Sequence, residues 1–357
     1  MNKTFSLYLD VLRVVAALVV FLSHVGHGHL VGGVLWRFTF WGHEAVMLFF
    51  VLSGYVIAYV TDTREGTIKD YAVARLARLY SVIVPAMVLT LLFDALGTRI
   101  APDSYTSGRM MNSNVDPVLS YLLSLLMLNQ SWDWVTHFGS NGAYWSIPFE
   151  FWYYVLFGVF VFLKGPWRWG TLLVAACVAG PHILILAPVW LLGVLLYRSR
   201  HLALGFKQFG GWLLAIAGGL VLLVMLGWDV RHLGVGHFGG LPINSWAWDM
   251  LFGGAVCAHL WGLQAALQSS ATPNLPRWAT VALQRMSGST LALYLLHLPL
   301  IGLLNAMAHH WGKNTFWLWV LLLGPLVFAL TVGYRLEQQK HLWRRFFNGL
   351  WARWGRA

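Results

Sequence analysis

Charged residues are scarce in this chain. Lys, Arg, Asp and Glu make up only 10% of its 357 residues, whereas 58% are hydrophobic and the mean hydropathy is +0.64. A soluble domain carries about 25% charged residues, so this composition excludes a soluble globular protein. The sequence therefore predicts an integral membrane protein with an all-α, polytopic fold.

Cysteines and cofactor motifs are scarce as well. The two cysteines, Cys177 and Cys257, lie in apolar stretches and support neither a disulfide framework nor a thiolate metal site. The chain has no Walker loop, no dinucleotide fingerprint and no repeat of the kind that marks many secondary transporters. A net charge of +11 does not indicate nucleic-acid binding here, because no soluble domain would present it. We expect neither a metal nor a nucleic-acid partner.

Long apolar runs are abundant. A region at 171–197 is broken at Gly180-Pro181 and is predicted to form two short helices that turn there. Residues 119–128 are too short to cross about 30 Å of hydrocarbon and are predicted to be re-entrant or interfacial. Eight further runs are long enough to cross, so a bundle of about ten transmembrane helices is expected: 7–26, 45–61, 79–96, 145–163, 211–228, 246–263, 289–308 and 316–334. The first run lacks a small-residue cleavage site and is interpreted as a retained span.

The basic residues are distributed unevenly between the loops. With an inside N-terminus, 19 of the 24 Lys and Arg residues fall on the cytoplasmic side and 5 outside, among them Arg109 and Arg231. This bias follows the positive-inside rule and predicts that both termini are cytoplasmic. We expect residues 1–335 to form one membrane domain. Residues 336–357 should form a basic amphipathic tail on the inner leaflet, where it meets membrane lipids.

The first span carries an arginine and a histidine on one stripe. Arg13 and His24 are eleven residues apart, which at about 100° per residue places both on the same face, about 16 Å apart along the axis. An arginine inside a hydrophobic helix is costly unless it is paired or hydrated, so by default it marks function. The cluster His24–His29 also suggests a metal site, but no carboxylate or supporting pattern accompanies it.

The pair begins an ordered set of motifs. Arg75 and Arg78 share a face before the third span, and Glu150 lies inside the fourth. The set resembles the membrane-bound acyltransferase-3 family over about residues 5–335. Its members are Arg13-x10-His24, Phe49-Phe50-Val51-Leu52-Ser53-Gly54-Tyr55, Arg75-Leu76-Ala77-Arg78, Trp145-Ser146-Ile147-Pro148-Phe149-Glu150 and Tyr294-Leu295-Leu296-His297-Leu298-Pro299-Leu300.

The resemblance implies an inner-membrane bacterial O-acyltransferase, with acetyl as the expected group. Cytoplasmic acyl-CoA (acetyl-CoA) would be the co-substrate, held by Arg13, Arg75 and Arg78. His24 would act as the general base on a hydroxyl of a surface or lipid-linked saccharide, with Glu150 beside it. No extracytoplasmic esterase-like domain is evident in this sequence, so either the chain acts alone or a separate extracytoplasmic transferase completes the reaction.

Each candidate also has a structural interpretation. His24 can be a histidine hydrogen-bonded within the bundle, and Arg13 can pair with Asp10. Arg75 and Arg78 can be topogenic charge, and Glu150 can belong to a buried ion pair. Of the expected substrate-binding residues, Ser53 can serve close helix packing together with Gly54, Tyr294 and His297 can make a plain interhelical hydrogen bond, and Trp145 can belong to the aromatic belt.

Two other functions remain open. A saccharide or lipid transporter or flippase would use Arg13, His24 and Glu150 as a proton relay. A structural subunit of a polysaccharide assembly complex would tolerate the loss of both Arg13 and His24.

Overall fold

The computed structural model describes residues 2–26, 35–106, 115–228, 237–238, 241–268 and 275–354. These residues are almost entirely helical. The helices are α1 (Lys3–Gly26), α2 (Gly42–Arg64), α3 (Ile68–Ile100), α4 (Pro102–Thr106), α5 (Pro117–Leu125), α6 (Ser146–Phe162), α7 (Gly165–Leu184), α8 (Ala187–Arg198), α9 (Arg200–Leu204), α10 (Gln208–Gly227), α11 (Ile243–Ala266), α12 (Arg277–Ser287), α13 (Thr290–Trp311), α14 (Thr315–Phe328), α15 (Tyr334–Gln338) and α16 (Lys340–Trp354).

Shorter elements connect some of these helices. Two 3-10 helices, Trp36–Phe40 and Gly142–Trp145, precede α2 and α6. A π-helical turn, Ala329–Gly333, joins α14 to α15. Strands β1 (His237–Phe238) and β2 (Leu241–Pro242) form a two-residue antiparallel pairing before α11.

The helices confirm a polytopic membrane fold, with a lower count of clear spans than expected. Among the described residues, seven helical segments are long and apolar enough to cross a membrane, and the bent pair α7 and α8 adds an eighth if it is one span. The predicted span 246–263 lies in α11, which is 24 residues long but outside that apolar set. Its Asp249, His259 and Gln264 lower its hydropathy. The count of ten and the cytoplasmic termini therefore stay predictions.

The break expected at Gly180-Pro181 is present. Gly180 has a φ of 80° and a ψ of 167°, a backbone conformation that side chains with a Cβ disfavour. A Cβ there would also collide with the backbone of Trp132. After a second break beyond Leu184, the axis of α8 turns by 104° from that of α7.

The predicted short segment 119–128 is also found as a short helix. Helix α5 has nine residues and is followed by irregular backbone over 126–141. Residues 129–131 and 136–141 of this backbone are buried or half-buried by protein contacts, whereas residues 132–135 are exposed. The enclosed part meets the condition under which irregular chain is tolerated at membrane depth. The Asp94 carboxylate accepts hydrogen bonds from the Ser140 amide (2.9 Å) and hydroxyl (2.5 Å), and Asn141 donates to the Leu295 carbonyl (2.8 Å).

Helix α3 begins with a local cap that positions its arginines. The Thr67 hydroxyl accepts a hydrogen bond from the Asp70 amide (3.1 Å) and donates to the Asp70 carboxylate (2.7 Å). Such a cap satisfies an amide that the first turn leaves without a helical partner. Arg75 and Arg78 follow in the next two turns and so face the interior from a fixed helix start.

Helix α13 is the most enclosed of the clear spans. In an 18-residue apolar stretch of this helix, 78% of the residues are buried within the protein, compared with 39% in the corresponding stretch of α1 and 44% in that of α3. It packs against α1, α3 and α14. Tyr294 and His297 on α13 are buried and are therefore enclosed by neighbouring helices rather than by lipid.

Candidate active site

Two cavities lie inside the bundle and share part of their walls. We call them the polar cavity, which measures about 1890 Å³ with the open space at its mouth included, and the apolar cavity, which measures about 670 Å³ on the same basis. Arg13, Arg78 and Thr290 line both. The two guanidinium groups therefore stand at the junction where one cavity leads into the other.

The apolar cavity has hydrocarbon walls and polar groups beyond the junction. Its polar lining residues there are Ser53, Ser146, Glu150, Tyr154 and Tyr294. Its apolar lining residues are Val46, Phe49, Phe50, Leu52, Val56, Ile57, Ile147 and Leu291. An elongated, largely apolar chain with a polar reacting group fits such a space.

Glu150 is held by hydroxyl groups from two helices. Ser53 on α2 donates to its Oε1 at 2.9 Å, and Tyr154, one turn further along α6, donates to the same oxygen. Trp190 on α8 donates to the Ser53 hydroxyl at 3.2 Å. Glu150 also lies close enough to Arg13 and Arg78 to interact electrostatically with both. The carboxylate thus lies beside the junction, on the side of the apolar cavity.

The three arginines expected to bind a donor all line the polar cavity, but they differ in their ion pairs within the protein. Arg13 forms an ion pair with Asp10 at 3.6 Å, as its structural interpretation anticipated. Arg75 is buried, forms an ion pair with Glu65, and lies over the rings of Tyr71 (5.3 Å) and Tyr154 (5.9 Å). Much of the charge of Arg75 is therefore compensated within the protein.

Arg78 differs from the other two arginines. It is exposed although it lies well inside α3, because its side chain reaches into the cavities. Its guanidinium group makes no hydrogen bond or ion pair with a residue of the described chain, although its carbonyl accepts a hydrogen bond from the Ser81 hydroxyl at 3.0 Å. Its five donors are the ones best placed at the junction for an anionic ligand.

His24 lies against a second histidine. His297 Nε2 is 3.1 Å from His24 Nδ1, and the ring centroids are 4.9 Å apart. His297 is buried on α13, so this contact joins α1 to the most enclosed span. The stripe that begins with Arg13 on α1 therefore ends at a pair of imidazoles.

Backbone carbonyls determine where the protons of this pair lie. His24 Nδ1 is 2.9 Å from the Val20 carbonyl, and His297 Nδ1 is 2.9 Å from the Leu293 carbonyl. A carbonyl only accepts, so in the neutral pair both Nδ1 atoms carry protons. His297 Nε2 is then an acceptor for His24 Nδ1–H. The basic nitrogen of His24 is its Nε2.

Glu150 has other partners than His24 in the structure. It was expected beside His24, where it would orient the imidazole or bind the acceptor, but its hydrogen bonds go to Ser53 and Tyr154. His297 contacts His24 instead. The helix register is the reason: Glu150 on α6 faces α2 and the arginines, whereas α13 presents His297 to α1.

Tyr294 connects the apolar cavity with the histidine pair. It lines the cavity, its hydroxyl is 2.7 Å from the Ser146 hydroxyl, and its ring centroid is 6.3 Å from that of His297 one turn away. The sequence left open whether Tyr294 and His297 line a cavity or make interhelical hydrogen bonds. Tyr294 does both, and His297 makes the interhelical contact.

Trp145 is the last residue of the 3-10 helix before α6 and lies in a separate cluster. Its ring stacks on His43 with a 6.0 Å centroid distance and a 2° angle. His43 Nε2 is 2.8 Å from a carboxylate oxygen of Asp249, which is buried. The cluster His24–His29 that suggested a metal extends into residues 27–34, which lie outside the described residues, as do Arg109 and Arg231.

Several site residues were missed by sequence reasoning. Tyr154 lies one turn after Glu150, and this spacing could have drawn attention to it. Ser146 and Thr290 carry no such signal, because isolated hydroxyls are common in membrane helices. The pairing of His43 with Asp249 joins residues 206 positions apart, which no local pattern reveals.

These features define a multi-pass helical membrane protein built around an internal pair of cavities, with basic groups at their junction and a histidine pair beyond. The chain belongs to the acyltransferase-3 family, since the model of that family's acyltransferase domain matches residues 6–335. The resemblance inferred from the motifs is thereby confirmed.

One curated relative matches over part of its length. The chain is 29% identical over 161 residues to the O-acetyl transferase of Shigella phage Sf6. The alignment covers 43% of this chain and 45% of the phage protein, so it spans less than half of either. No solved structure matches the chain.

Proposed function

We propose that the protein is a membrane O-acyltransferase that moves an acetyl group from acetyl-CoA to a hydroxyl of a surface or lipid-linked saccharide. Membership of the acyltransferase-3 family supports the reaction class. The name of the phage relative supports acetyl as the group and oxygen as the acceptor atom. The bacterial inner membrane is the proposed location.

The junction of the two cavities is the observation that carries the proposal. Acyl-CoA has a polyanionic nucleotide end and a thin pantetheine arm that ends in the thioester. The polar cavity suits the first and the apolar cavity suits the second. Arg13 and Arg78 stand between them, where guanidinium groups can bind phosphate through charge-assisted hydrogen bonds.

The buried Arg75 also fits this donor. Its Nε atom has no hydrogen-bond partner among the described residues, although its terminal nitrogen is paired with Glu65. A buried donor without a partner is costly, and a phosphate oxygen would satisfy it. Arg75 is therefore proposed to bind the donor together with Arg13 and Arg78.

The proposed chemistry takes place at the far end of the apolar cavity, near Tyr294 and Ser146. His24 Nε2 takes the proton from the acceptor hydroxyl as that oxygen attacks the thioester carbonyl. The new C–O ester bond forms, the C–S bond breaks, and coenzyme A leaves as a thiolate that receives a proton. His297 accepts from His24 Nδ1–H throughout and keeps Nε2 as the basic nitrogen.

The remaining site residues are assigned supporting roles. Glu150 holds Arg13 and Arg78 at the junction and keeps Ser53 and Tyr154 beside the reacting end of the donor. Trp145 offers an aromatic face of the kind that packs against a sugar ring. The acceptor, or a separate extracytoplasmic transferase, would approach from the side that carries His24 and Trp145.

The test is transfer of radiolabelled acetyl from acetyl-CoA by purified protein in nanodiscs, with saccharide-bearing membrane extract as acceptor. His24→Ala should lower the rate by about 10²- to 10⁴-fold, the usual contribution of a general base. His309→Ala is the matched control, because His309 is exposed on the same helix as His297. Full activity of the His24 variant, with normal expression, would rule out the assignment.

The same assay separates the enzyme from a transporter or flippase. A transporter would move the saccharide unmodified and would show no labelled product. Among the described residues, the hydrogen bonds of Glu150 go to Ser53 and Tyr154, an arrangement that favours a positioning role over a proton relay.

A further inference from the structure

The C-terminal helix α16 contributes to the polar cavity. Lys340, Arg344 and Asn348 line that cavity together with residues of α1, α2, α3 and α12. The three are spaced four residues apart, so they form one stripe along a face of α16. The stripe lies beyond residue 335, where the family match ends.

Aromatic contacts hold α16 against the membrane domain. The rings of Trp343 and Phe347 lie 6.4 Å and 5.8 Å from the ring of Tyr80 on α3. Tyr80 in turn donates a hydrogen bond to the Leu125 carbonyl at 2.7 Å. The predicted amphipathic tail is therefore a helix. It packs beside the turns of α3 that carry Arg75 and Arg78. Its stripe consequently has a fixed position at the cavity wall.

The basic groups of this stripe are not neutralised by ion pairs. Among the described residues, neither Lys340 nor Arg344 forms an ion pair or a hydrogen bond through its side chain. The nearby acid on the same wall is Glu337, which interacts electrostatically with Lys340 and accepts a hydrogen bond from the Ala292 amide at 3.0 Å. Six basic and four acidic side chains line the polar cavity as a whole, which leaves a positive excess.

We propose that Lys340 and Arg344 bind phosphates at the nucleotide end of the acyl donor, so that α16 forms part of the donor site. This inference rests on the proposed function. The thioester must pass the junction at Arg13 and Arg78 into the apolar cavity. The nucleotide, which is wider and carries the phosphates, then stays in the polar cavity, where α16 supplies the wall.

The experiment measures the affinity of the full chain for coenzyme A by calorimetry in nanodiscs of phosphatidylcholine only. The double variant Lys340→Ala/Arg344→Ala should bind coenzyme A at least about 10-fold more weakly, because charged hydrogen bonds are lost. Arg345→Ala is the matched control: it is the neighbouring arginine, is exposed, and does not line the cavity. It should bind like the unaltered protein.

Pantetheine, which has no phosphate, serves as the second probe. The double variant and the unaltered protein should bind it equally, since the stripe acts on phosphates. A loss of pantetheine binding would mean that α16 only shapes the cavity, and it would overturn the proposal.

The remaining outcomes distinguish a failure of the role assigned to α16 from a failure of the proposed function. If the unaltered protein binds coenzyme A and the double variant matches it, the stripe has no role in donor binding. Because no anionic lipid is present, that result would assign its charges to lipid headgroups instead. If the unaltered protein binds no coenzyme A at all, the proposed function itself fails.

Discussion

At the scale of single residues, the histidine pair shows how backbone groups set side-chain chemistry. The Val20 and Leu293 carbonyls each face an Nδ1 atom, and both are acceptors only. They place a proton on each Nδ1 and so direct the basic nitrogen of His24 away from its own helix. In the proposed mechanism, His297 supports that arrangement and His24 is the base.

His297→Ala should therefore impair the enzyme less than His24→Ala does. One acceptor for His24 Nδ1–H is lost, but the Val20 carbonyl remains, and a typical net hydrogen bond is worth about 0.5–1.5 kcal/mol. We expect kcat for acetyl transfer to fall by about 2- to 10-fold, with an unchanged KM for acetyl-CoA. Steady-state kinetics at matched expression and melting temperature measure both.

Two results would contradict this assignment. A loss as large as that of the His24 variant would indicate that His297 is itself the base. An unchanged kcat would indicate that the two imidazoles are not coupled in the reaction.

At the scale of elements, α2 carries two functions on consecutive residues. Ser53 faces the apolar cavity and hydrogen-bonds Glu150, whereas Gly54 allows a close crossing with α8. A Cβ at Gly54 would collide with the Trp190 carbonyl oxygen, and one at Gly193 on α8 would collide with the Val51 carbonyl oxygen. Gly54 is thus needed for the close packing of α2 against α8, and Ser53 is needed for the hydrogen bond to Glu150.

Gly54→Ala should destabilise this crossing. Forcing extra atoms into a packed interface costs about 1–3 kcal/mol, so the melting temperature should fall by several degrees. Gly170→Ala is the control, because Gly170 lies within α7 and its added Cβ would meet nothing within 4 Å. It should melt at the same temperature or slightly higher, since alanine favours helix over glycine. Equal melting of both variants would show that the crossing tolerates a Cβ.

At the scale of the whole molecule, the bias of basic residues between loops and the position of the polar cavity both suggest that the donor enters from the cytoplasmic side. The polar cavity is lined by Arg64, Arg75, Arg78 and the tail, all from segments that the positive-inside count places in the cytoplasm. Acyl-CoA is made in that compartment. The predicted topology and the proposed donor site are therefore consistent with each other, although neither depends on the other.

Single-cysteine labelling tests the topology directly. In a chain with Cys177 and Cys257 replaced by serine, Asn348→Cys should resist a membrane-impermeant maleimide in intact spheroplasts. Lys313→Cys, on the far side of the last span, should be labelled. Permeabilised cells should give labelling of both, which controls for accessibility. The reverse pattern in intact spheroplasts would show that the orientation is inverted. Equal labelling would show that no membrane span separates residues 313 and 348.

The sequence by itself determined the membrane class, the helical fold, the break at Gly180 and the family. Each of these depends on composition, on the period of one helix or on a local motif, which the linear order of residues contains. The tertiary structure alone decided the partners: His297 rather than Glu150 for His24, Glu65 for Arg75, and α16 for the polar cavity. Such contacts depend on which faces of distant helices meet, and in a membrane, where nearly every face is apolar, hydropathy does not reveal that choice.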